Sequence, residues 1–161
     1  MNVRVGLGCD LHPLVEGRRL VLGGVEIEHE RGASGHSDAD AVAHAVTDAL
    51  LGAAAMGDIG SHFPDDDPQY KDADSIELLR RVVEMLEAES WEIGNVDVTV
   101  ILQRPKLAPY IQEMRKNLAA ALGIDEGSVS IKAKTGEGLG PVGREEAVAA
   151  HAAVLLYQSP Q

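Results

Sequence analysis

The sequence predicts a single α+β domain in which strands and helices alternate along 161 residues. Two segments, 38–56 and 75–90, carry apolar side chains at three- and four-residue spacing, which is typical of amphipathic helices. Residues 95–103 alternate β-branched and polar side chains, which indicates a strand. Because no linker or internal repeat divides the chain, we expect one domain over residues 1–161.

The acidic composition limits the class of partner. A formal net charge of −12 argues against a nucleic-acid backbone, which binds to basic surfaces. An acidic protein that binds phosphates uses divalent cations as counter-charge. The one cysteine, Cys9, excludes an internal disulfide and a cysteine-based zinc cage. Since no apolar run spans a bilayer and the N-terminus is no signal peptide, we expect a cytoplasmic protein.

The first predicted strand, residues 3–12, ends on two candidate metal ligands. Alternation along a strand sends Asp10 and His12 to the same face, and carboxylate with imidazole suits zinc. For this pair alone, a strand-end carboxylate beside an exposed histidine is the better interpretation. His44 adds a third candidate and favours a metal site, because three protein ligands and one open position are typical of catalytic zinc.

The predicted helix over residues 38–56 brings His44 close to several carboxylates. Ser37 or Asp38 is placed to cap its N-terminus. Asp40, one turn before His44, either orients the imidazole as a hydrogen-bond acceptor or is an exposed carboxylate favoured by the helix dipole. The sequence leaves both interpretations open.

The segments on either side of this helix are a hairpin and a long loop. Two short apolar runs around Gly23 and Gly24 predict the hairpin, with His29 solvated at its end. Loops as long as residues 57–74 are uncommon in compact domains unless they are functional or mobile. Residues 65–67, all aspartates, therefore fit a solvated acidic loop and a functional one equally well.

The second half of the chain ends in a glycine-rich loop and an ambiguous segment. A helix stopped by Gly123 and a strand over 129–135 precede the loop at 136–144, which matches neither the P-loop nor the dinucleotide fingerprint. Residues 145–158 are rich in alanine, which favours a helix, although a final strand would pair with the others. His151, among these alanines, is interpreted as a core or packing residue and not as a ligand.

A series of motifs, in a specific order, covers nearly the whole chain. They read G-C-D-L-H, G-H-S-D-A-D-A-V-A-H, G-D-I-G-S-H-F-P-D-D-D-P, A-D-S-I-E-L-L, G-N-V-D-V-T-V, P-K-L and G-E-G-L-G-P-V-G-R-E-E. Together they resemble the 2-C-methyl-D-erythritol 2,4-cyclodiphosphate synthases of the non-mevalonate isoprenoid pathway. The resemblance implies a lyase that cyclises 4-diphosphocytidyl-2-C-methyl-D-erythritol 2-phosphate and releases CMP. It also implies a mixed sheet with helices on one face, a final strand, and a homotrimer with active sites at its subunit interfaces.

The resemblance implies roles for residues at matching positions. Asp10, His12 and His44 would hold zinc, and Glu137 a second ion, magnesium or manganese, on the substrate diphosphate. His36 and Thr135 would stabilise the transition state. The remaining implied substrate-binding positions are Ser37, Asp58, Ile59, Gly60, Phe63, Pro64, Asp65, Asp66, Asp67, Leu102, Gln103, Arg104, Pro105, Lys106, Leu107, Ala108, Ala133, Lys134, Gly136 and Arg144, of which 102–108 and 133–134 would form a cytidine-diphosphate pocket on the neighbouring subunit.

Two positions depart from the pattern of these synthases, and two other functions stay open. Lys134 and Gly136 flank Thr135 where a run of threonines is common, and Pro141 stands where phenylalanine is common. A metal-dependent phosphohydrolase would use similar ligands but would release free phosphate. A regulatory trimer that binds a metal or a cytidine nucleotide would turn nothing over.

Overall fold

The computed structural model describes residues 2–159, and its main feature is one five-stranded mixed sheet. The strands lie in the order β4-β1-β7-β5-β6, and β2 and β3 form a separate hairpin. The neighbours in the sheet are antiparallel except β5 and β6, which are parallel. The strands are β1 (Asn2–Glu16), β2 (Leu20–Leu22), β3 (Val25–Ile27), β4 (Arg31–Ala33), β5 (Glu92–Ile101), β6 (Val129–Lys134) and β7 (Ala147–Gln158).

The helices cover one face of this sheet, so the predicted α+β class is confirmed. The hairpin around Gly23 and Gly24 is confirmed as well. Within residues 2–159, no helix combines the length and the apolar character needed to cross a membrane. The helices are α1 (Ala41–Ala53), α2 (Ile59–His62), α3 (Ser75–Ala88), α4 (Ile111–Leu122) and α5 (Gly140–Gly143), with 3₁₀ turns at Pro68–Tyr70, Ala108–Tyr110 and Glu126–Ser128.

Helix α1 packs against β1 at unusually close range, because β1 carries glycines where it faces the helix. A Cβ placed on Gly8 would lie 1.9 Å from the carbonyl oxygen of Ala45, and one on Gly6 would lie 1.9 Å from that of Ala49. No side chain fits in this space. The contact fixes the height of α1 above the strand that carries Asp10.

The start of α1 differs from the prediction. Ala39 has φ = 56°, so residues 37–39 are not helical, and Asp40 is the N-cap. Its carboxylate accepts hydrogen bonds from the amides of Ala43 (3.0 Å), Gly23 (2.9 Å) and Gly24 (2.7 Å). Burial raises the pKa of Asp40 to about 6, in opposition to the bonds from Ala43 and Gly24.

Both interpretations of Asp40 are therefore wrong. Asp40 is fully buried, so it is no exposed carboxylate, and its hydrogen bonds go to backbone amides instead of His44. The free amides of the first helical turn need an acceptor more than the imidazole does. As a cap, Asp40 also ties the β2–β3 hairpin to α1.

The alanine-rich segment at 145–158 contains a strand, β7, as the resemblance implies, and the helix that its alanine content favours does not form. β7 pairs with both β1 and β5, so tertiary pairing outweighs the helix propensity of alanine. His151 is exposed on the face of the sheet away from the helices, where its Nδ1 lies 3.1 Å from the Sγ of Cys9. Its interpretation as a core residue is wrong as well.

The face of the sheet opposite the helices carries large apolar side chains that are exposed to solvent. We call this face the open sheet face. On β1 it comprises residues with exposed fractions of 38 to 73%, a pattern that marks interaction surfaces in soluble proteins. These residues are Val3, Val5, Leu7, Leu11 and Val15.

Candidate metal centre

Three side chains from separate parts of the chain meet at one point. Asp10 and His12 project from the same face of β1, as the alternation predicts, and His44 comes from the first turn of α1. The Oδ2 of Asp10 lies 2.7 Å from Nε2 of His12 and 3.1 Å from Nδ1 of His44. The two histidine nitrogens are 3.2 Å apart. The predicted convergence of these three residues is confirmed.

This donor set fits a divalent metal ion. Ligand atoms at about 2.0–2.1 Å from a tetrahedral zinc lie roughly 3.3 Å apart, so the observed triangle needs only a slight widening. One carboxylate oxygen and two imidazole nitrogens are typical ligands of such ions. The group is the one cluster of at least three His, Cys, Asp or Glu ligand atoms found among residues 2–159.

The ring of His12 is oriented by the main chain of the neighbouring loop. Its Nδ1 lies 3.2 Å from the carbonyl oxygen of Ser34, which only accepts hydrogen bonds. Nδ1 therefore carries a proton, and Nε2 is the ring nitrogen that faces Asp10 and His44 and can give its lone pair to a metal ion. A metal ligand needs this tautomer.

Without a cation the three groups form a strongly coupled charge cluster. Burial opposes ionisation of Asp10, but hydrogen bonds and charge from His12 and His44 outweigh it and hold the pKa of Asp10 well below its usual range. Burial likewise favours the neutral form of His44, yet the hydrogen bond and charge of Asp10 raise the pKa of His44. The raised pKa favours a proton on His44, and a bound cation would take the place of that proton.

The three ligands open into a cavity of about 450 Å³, a size typical of sites for small molecules. Its wall combines polar groups near the ligands with apolar and aromatic side chains farther out. The lining residues are Asp10, His12, Gly35, His36, Ser37, His44, Ile59, Gly60, Phe63, Asp65, Tyr70 and Leu78.

Hydrogen bonds hold the loop that carries His36 and Ser37. The guanidinium of Arg18 donates to the carbonyls of Gly35 (3.1 Å) and Ser37 (3.3 Å). The ring Nε2–H of His36 donates to the carbonyl of Asp67 at 2.9 Å, and the amide of Asp72 donates to the carbonyl of His36 at 2.8 Å. These bonds tie the loop to residues 67–72, of which Tyr70 lines the cavity.

The long loop at 57–74 contains structure that the sequence did not predict. Asp58 caps α2 by accepting from the amide of Ser61, and Asp48 accepts from the amide of Ile59 at 2.7 Å. Phe63 packs edge-to-face on Tyr70 with ring centres 5.3 Å apart. Of the predicted substrate loop, Ile59, Gly60, Phe63 and Asp65 line the cavity, whereas Asp58, Pro64, Asp66 and Asp67 lie outside its lining.

The other predicted site residues form a second cluster within the same chain. Lys134 pairs with Ile101, Ile101 with Ala149, and Ala149 with Leu11, so the end of β6 is level with the metal ligands on β1. Two strands lie between, a distance of about 14 Å at ordinary strand spacing. None of the residues 102–108, 133–137 or Arg144 lines the cavity.

This second cluster surrounds the turn after β6. The side chain of Gln103 accepts from the amides of Gly136 (3.1 Å) and Gly138 (3.4 Å). The hydroxyl of Thr135 accepts from the amide of Glu137, whose own side chain is exposed. Ion pairs hold two of its cations: Arg104 with Glu145, and Arg144 with Glu146.

Sequence reasoning missed the contact of Ser75 with His44. Ser75 is 1% exposed, and its Oγ lies 2.8 Å from Nε2 of His44. The Oγ of Ser75 also bonds to a carboxylate oxygen of Asp38. The only signal was the N-terminus of a helix at Ser75, which says nothing about a partner 31 residues earlier in the chain.

The fold and the site define an α+β protein with a concave site in which an Asp-His-His group could hold a metal ion. Residues 3–157 match the YgbB family, and the chain belongs to that family. A curated relative from Neisseria gonorrhoeae, named 2-C-methyl-D-erythritol 2,4-cyclodiphosphate synthase, is 61% identical over 98% of both chains. A synthase of the same name from Ralstonia nicotianae is 58% identical over 99% of this chain and 95% of its own length.

Solved structures show the same fold. The bifunctional IspDF of Campylobacter jejuni superimposes with a TM-score of 0.94 at 41% identity; the match covers 98% of this chain and 43% of that one. A structure of 2C-methyl-D-erythritol-2,4-cyclodiphosphate synthase in a CDP-bound form gives a TM-score of 0.88 at 39% identity, covering 96% of this chain and 100% of the other.

Proposed function

We propose that the chain converts 4-diphosphocytidyl-2-C-methyl-D-erythritol 2-phosphate to 2-C-methyl-D-erythritol 2,4-cyclodiphosphate and CMP. The observation that carries this proposal is the meeting of Asp10, His12 and His44 at the mouth of a cavity, in a chain whose relatives bear the name of that synthase. Cys9 is a free thiol, in keeping with work in the reducing cytoplasm.

The reaction exchanges one phosphorus–oxygen bond for another. An oxygen of the 2-phosphate forms a bond to the β-phosphorus, and the bond between that phosphorus and CMP breaks. Both partners are anionic, so the barrier consists of charge repulsion and of folding the substrate back on itself. Holding reactants in place can lower a barrier by about 7–11 kcal/mol, and no protein nucleophile is required.

The residues of the metal centre have defined tasks in this proposal. Asp10, His12 and His44 hold zinc, and Glu137 holds a second divalent ion, magnesium or manganese. Bound cations supply positive charge against the phosphate oxygens as the reaction proceeds. His36, whose ring is held by its bond to Asp67, and Thr135 help to stabilise the transition state.

The substrate spans two clusters in this proposal. Ser37, residues 58–60 and residues 63–67 bind the erythritol, the ribose and the phosphates beside the metal centre. Residues 102–108 and 133–134 of the second cluster form the cytidine-diphosphate pocket, and Arg144 lies at the phosphate end. Two solved structures with this fold, at 35% and 39% identity to this chain, are complexes with CDP, which supports a cytidine-nucleotide pocket.

We further propose that the two clusters meet between neighbouring copies in a homotrimer. Within one chain they lie two strands apart. The open sheet face carries the exposed apolar area that assembly would bury, with Val5 at 73% and Leu7 at 71% exposure. Adjacent copies would then complete each other's sites.

Phosphorus NMR of the product tests the proposed reaction. With zinc and magnesium present, the substrate should give a cyclic diphosphate and CMP in equal amounts. Free inorganic phosphate would instead indicate a phosphohydrolase, and unchanged substrate a nucleotide-binding protein without activity. Either result would overturn the proposal.

A pair of histidine variants tests the role of the metal centre. His44→Ala should abolish turnover and lower the bound zinc to background, because the site loses one of three ligands. His29→Ala is the matched control, since His29 lies outside the cavity lining and the ligand group. Full activity in a zinc-free His44→Ala protein would contradict the proposal.

A further inference from the structure

Nε2 of His44, the ring nitrogen turned away from the ligand group, has a polar partner of its own. The Nδ1 atom faces Asp10 and His12, whereas Nε2 lies 2.8 Å from the Oγ of Ser75. Ser75 is the first residue of α3 and is 1% exposed, so water does not compete for this contact.

The proton on the hydroxyl of Ser75 is already committed. The Oγ of Ser75 bonds to Oδ1 of Asp38, and an ionised carboxylate only accepts hydrogen bonds. Ser75 must therefore donate to Asp38. Since a hydroxyl has one proton, the Oγ has only lone pairs left for His44, and Nε2 of His44 must be the donor.

Asp38 is itself held in place. It accepts from the amide of Ser75 at 3.1 Å and from the amide of Asp40 at 3.1 Å. Its own amide donates to the carbonyl of Ala73 at 3.0 Å. Ser37 adds a weaker contact, with its Oγ 3.1 Å from Nε2 of His44 and 3.4 Å from the Oγ of Ser75.

We propose that Asp38 and Ser75 are positioning residues that keep the proton of His44 on Nε2 and leave the Nδ1 lone pair free for a metal ion. This inference rests on the proposed metal centre and adds a supporting chain to it, Asp38 to Ser75 to His44. His12 is fixed in the complementary tautomer by the carbonyl of Ser34. With a metal ion bound, both imidazoles would then direct a lone pair to the same point.

The first test measures zinc affinity by competition with a chromophoric chelator. Ser75→Ala should weaken zinc binding by about 10- to 100-fold, as is typical when a supporting hydrogen bond to a ligand is lost. Ser75→Thr keeps the hydroxyl and should restore most of the affinity. Ser61→Ala is the matched control, because the hydroxyl of Ser61 also donates to an aspartate, Asp58, but does not contact His44.

The second test observes the proton itself. In the zinc-loaded protein labelled with ¹⁵N-histidine, the Nε2–H of His44 should give a protected imidazole signal, assigned by its loss in His44→Ala. Ser75→Ala should broaden that signal through exchange with water, and Ser75→Thr should retain it. A role of Ser75 limited to the start of α3 would leave the signal intact.

The outcomes separate this inference from the proposed function. No zinc bound to the unmodified protein would remove the metal centre and the inference together. Zinc bound equally tightly by the unmodified protein and Ser75→Ala, with the signal still protected, would overturn the inference alone. If Ser75→Ala does not fold, Asp38→Asn decides, since it removes the ionised acceptor and should weaken zinc binding severalfold; unchanged affinity there would also overturn the inference.

Discussion

Gly8 of β1 lies directly beneath the main chain of Ala45, one residue after the candidate metal ligand His44. A Cβ on Gly8 would come within 1.9 Å of the carbonyl oxygen of Ala45. The glycine therefore sets the distance between the strand that carries Asp10 and His12 and the helix that carries His44. The spacing of the three ligands depends on a residue that contributes no ligand.

Gly8→Ala should consequently damage the metal centre from a distance. Either α1 moves away from β1 or the protein unfolds, and we expect a loss of several kcal/mol in the free energy of unfolding, in line with other overpacked cores. Zinc affinity should fall with it. Denaturant unfolding and chelator competition measure the two effects.

Gly52→Ala provides the control for this prediction. Gly52 lies in the last turn of the same helix, and a Cβ there would meet no atom within 4 Å. The substitution should stabilise the protein by about 0.5–1 kcal/mol, because alanine favours a helix over glycine. Equal effects at positions 8 and 52 would contradict the close-packing explanation.

Asp40 should prove one of the most stabilising polar residues in the chain. Asp40→Ala leaves three amides, those of Ala43, Gly23 and Gly24, without their buried acceptor, at about 1–3 kcal/mol each. We expect a loss of about 3 kcal/mol or more in urea unfolding. Asp74→Ala, which removes an exposed cap of α3, should cost about 1 kcal/mol. A loss no larger than that of Asp74→Ala would contradict the role of Asp40 at the hairpin.

The stability of the metal-free protein should depend on pH through His44 and Asp10. The pKa of His44 is raised, so its contribution is complete below its unfolded value of about 6.5 and is lost as the pH rises through the folded pKa. The pKa of Asp10 is lowered, so its contribution is present above about 4 and is lost as the pH falls through the folded pKa. Stability in EDTA should therefore decline from pH 6 to pH 8.

Zinc should reverse this trend. Because the metal must displace the proton of His44, the rise in Tm on adding zinc should grow from pH 6 to pH 8. Thermal unfolding with EDTA or with excess zinc at several pH values measures both slopes. His44→Ala should flatten the dependence of Tm on pH both in EDTA and in zinc. An unchanged dependence in that variant would refute the assignment of these effects to His44.

Charge on the open sheet face should prevent the proposed assembly. Leu7→Glu places a carboxylate among side chains that a trimer would bury, where burying the charge costs several kcal/mol. Light scattering after size exclusion should then give the mass of one chain. Ala88→Glu, an exposed position at the end of α3, should leave the trimer intact. A Leu7→Glu protein with the mass of the unmodified one would count against this interface.

The parts of the fold predicted correctly are those in which local pattern and tertiary packing agree. The alternation around Asp10 and His12 placed both ligands on one face, and α3, α4 and β5 followed from their apolar spacing. The alanine content of residues 145–158 favours a helix, but these residues contain strand β7. Their small side chains allow β7 to lie at the centre of the sheet beneath α1.

The candidate ligands of the metal centre could be predicted from the sequence, whereas the hydrogen bonds that position these ligands could not. Asp10, His12 and His44 are recognisable as ligand types at separate points in the chain. The contact of Ser75 with His44 depends on how α3 docks beside α1, and no spacing along the chain encodes it. The position of the cap at Asp40 depends in the same way on the left-handed backbone of Ala39.

The separation of the two clusters by two strands has a consequence for mixtures of chains. In the proposed homotrimer, mixing a chain that lacks the imidazole of His44 with one that lacks the carboxylate of Glu137 would pair the intact metal centre of one chain with the intact second cluster of the other at some subunit interfaces. Two inactive proteins, denatured and refolded together, would thereby regain a fraction of the turnover that neither has alone. Genetic complementation between alleles of a single gene is the cellular form of the same effect.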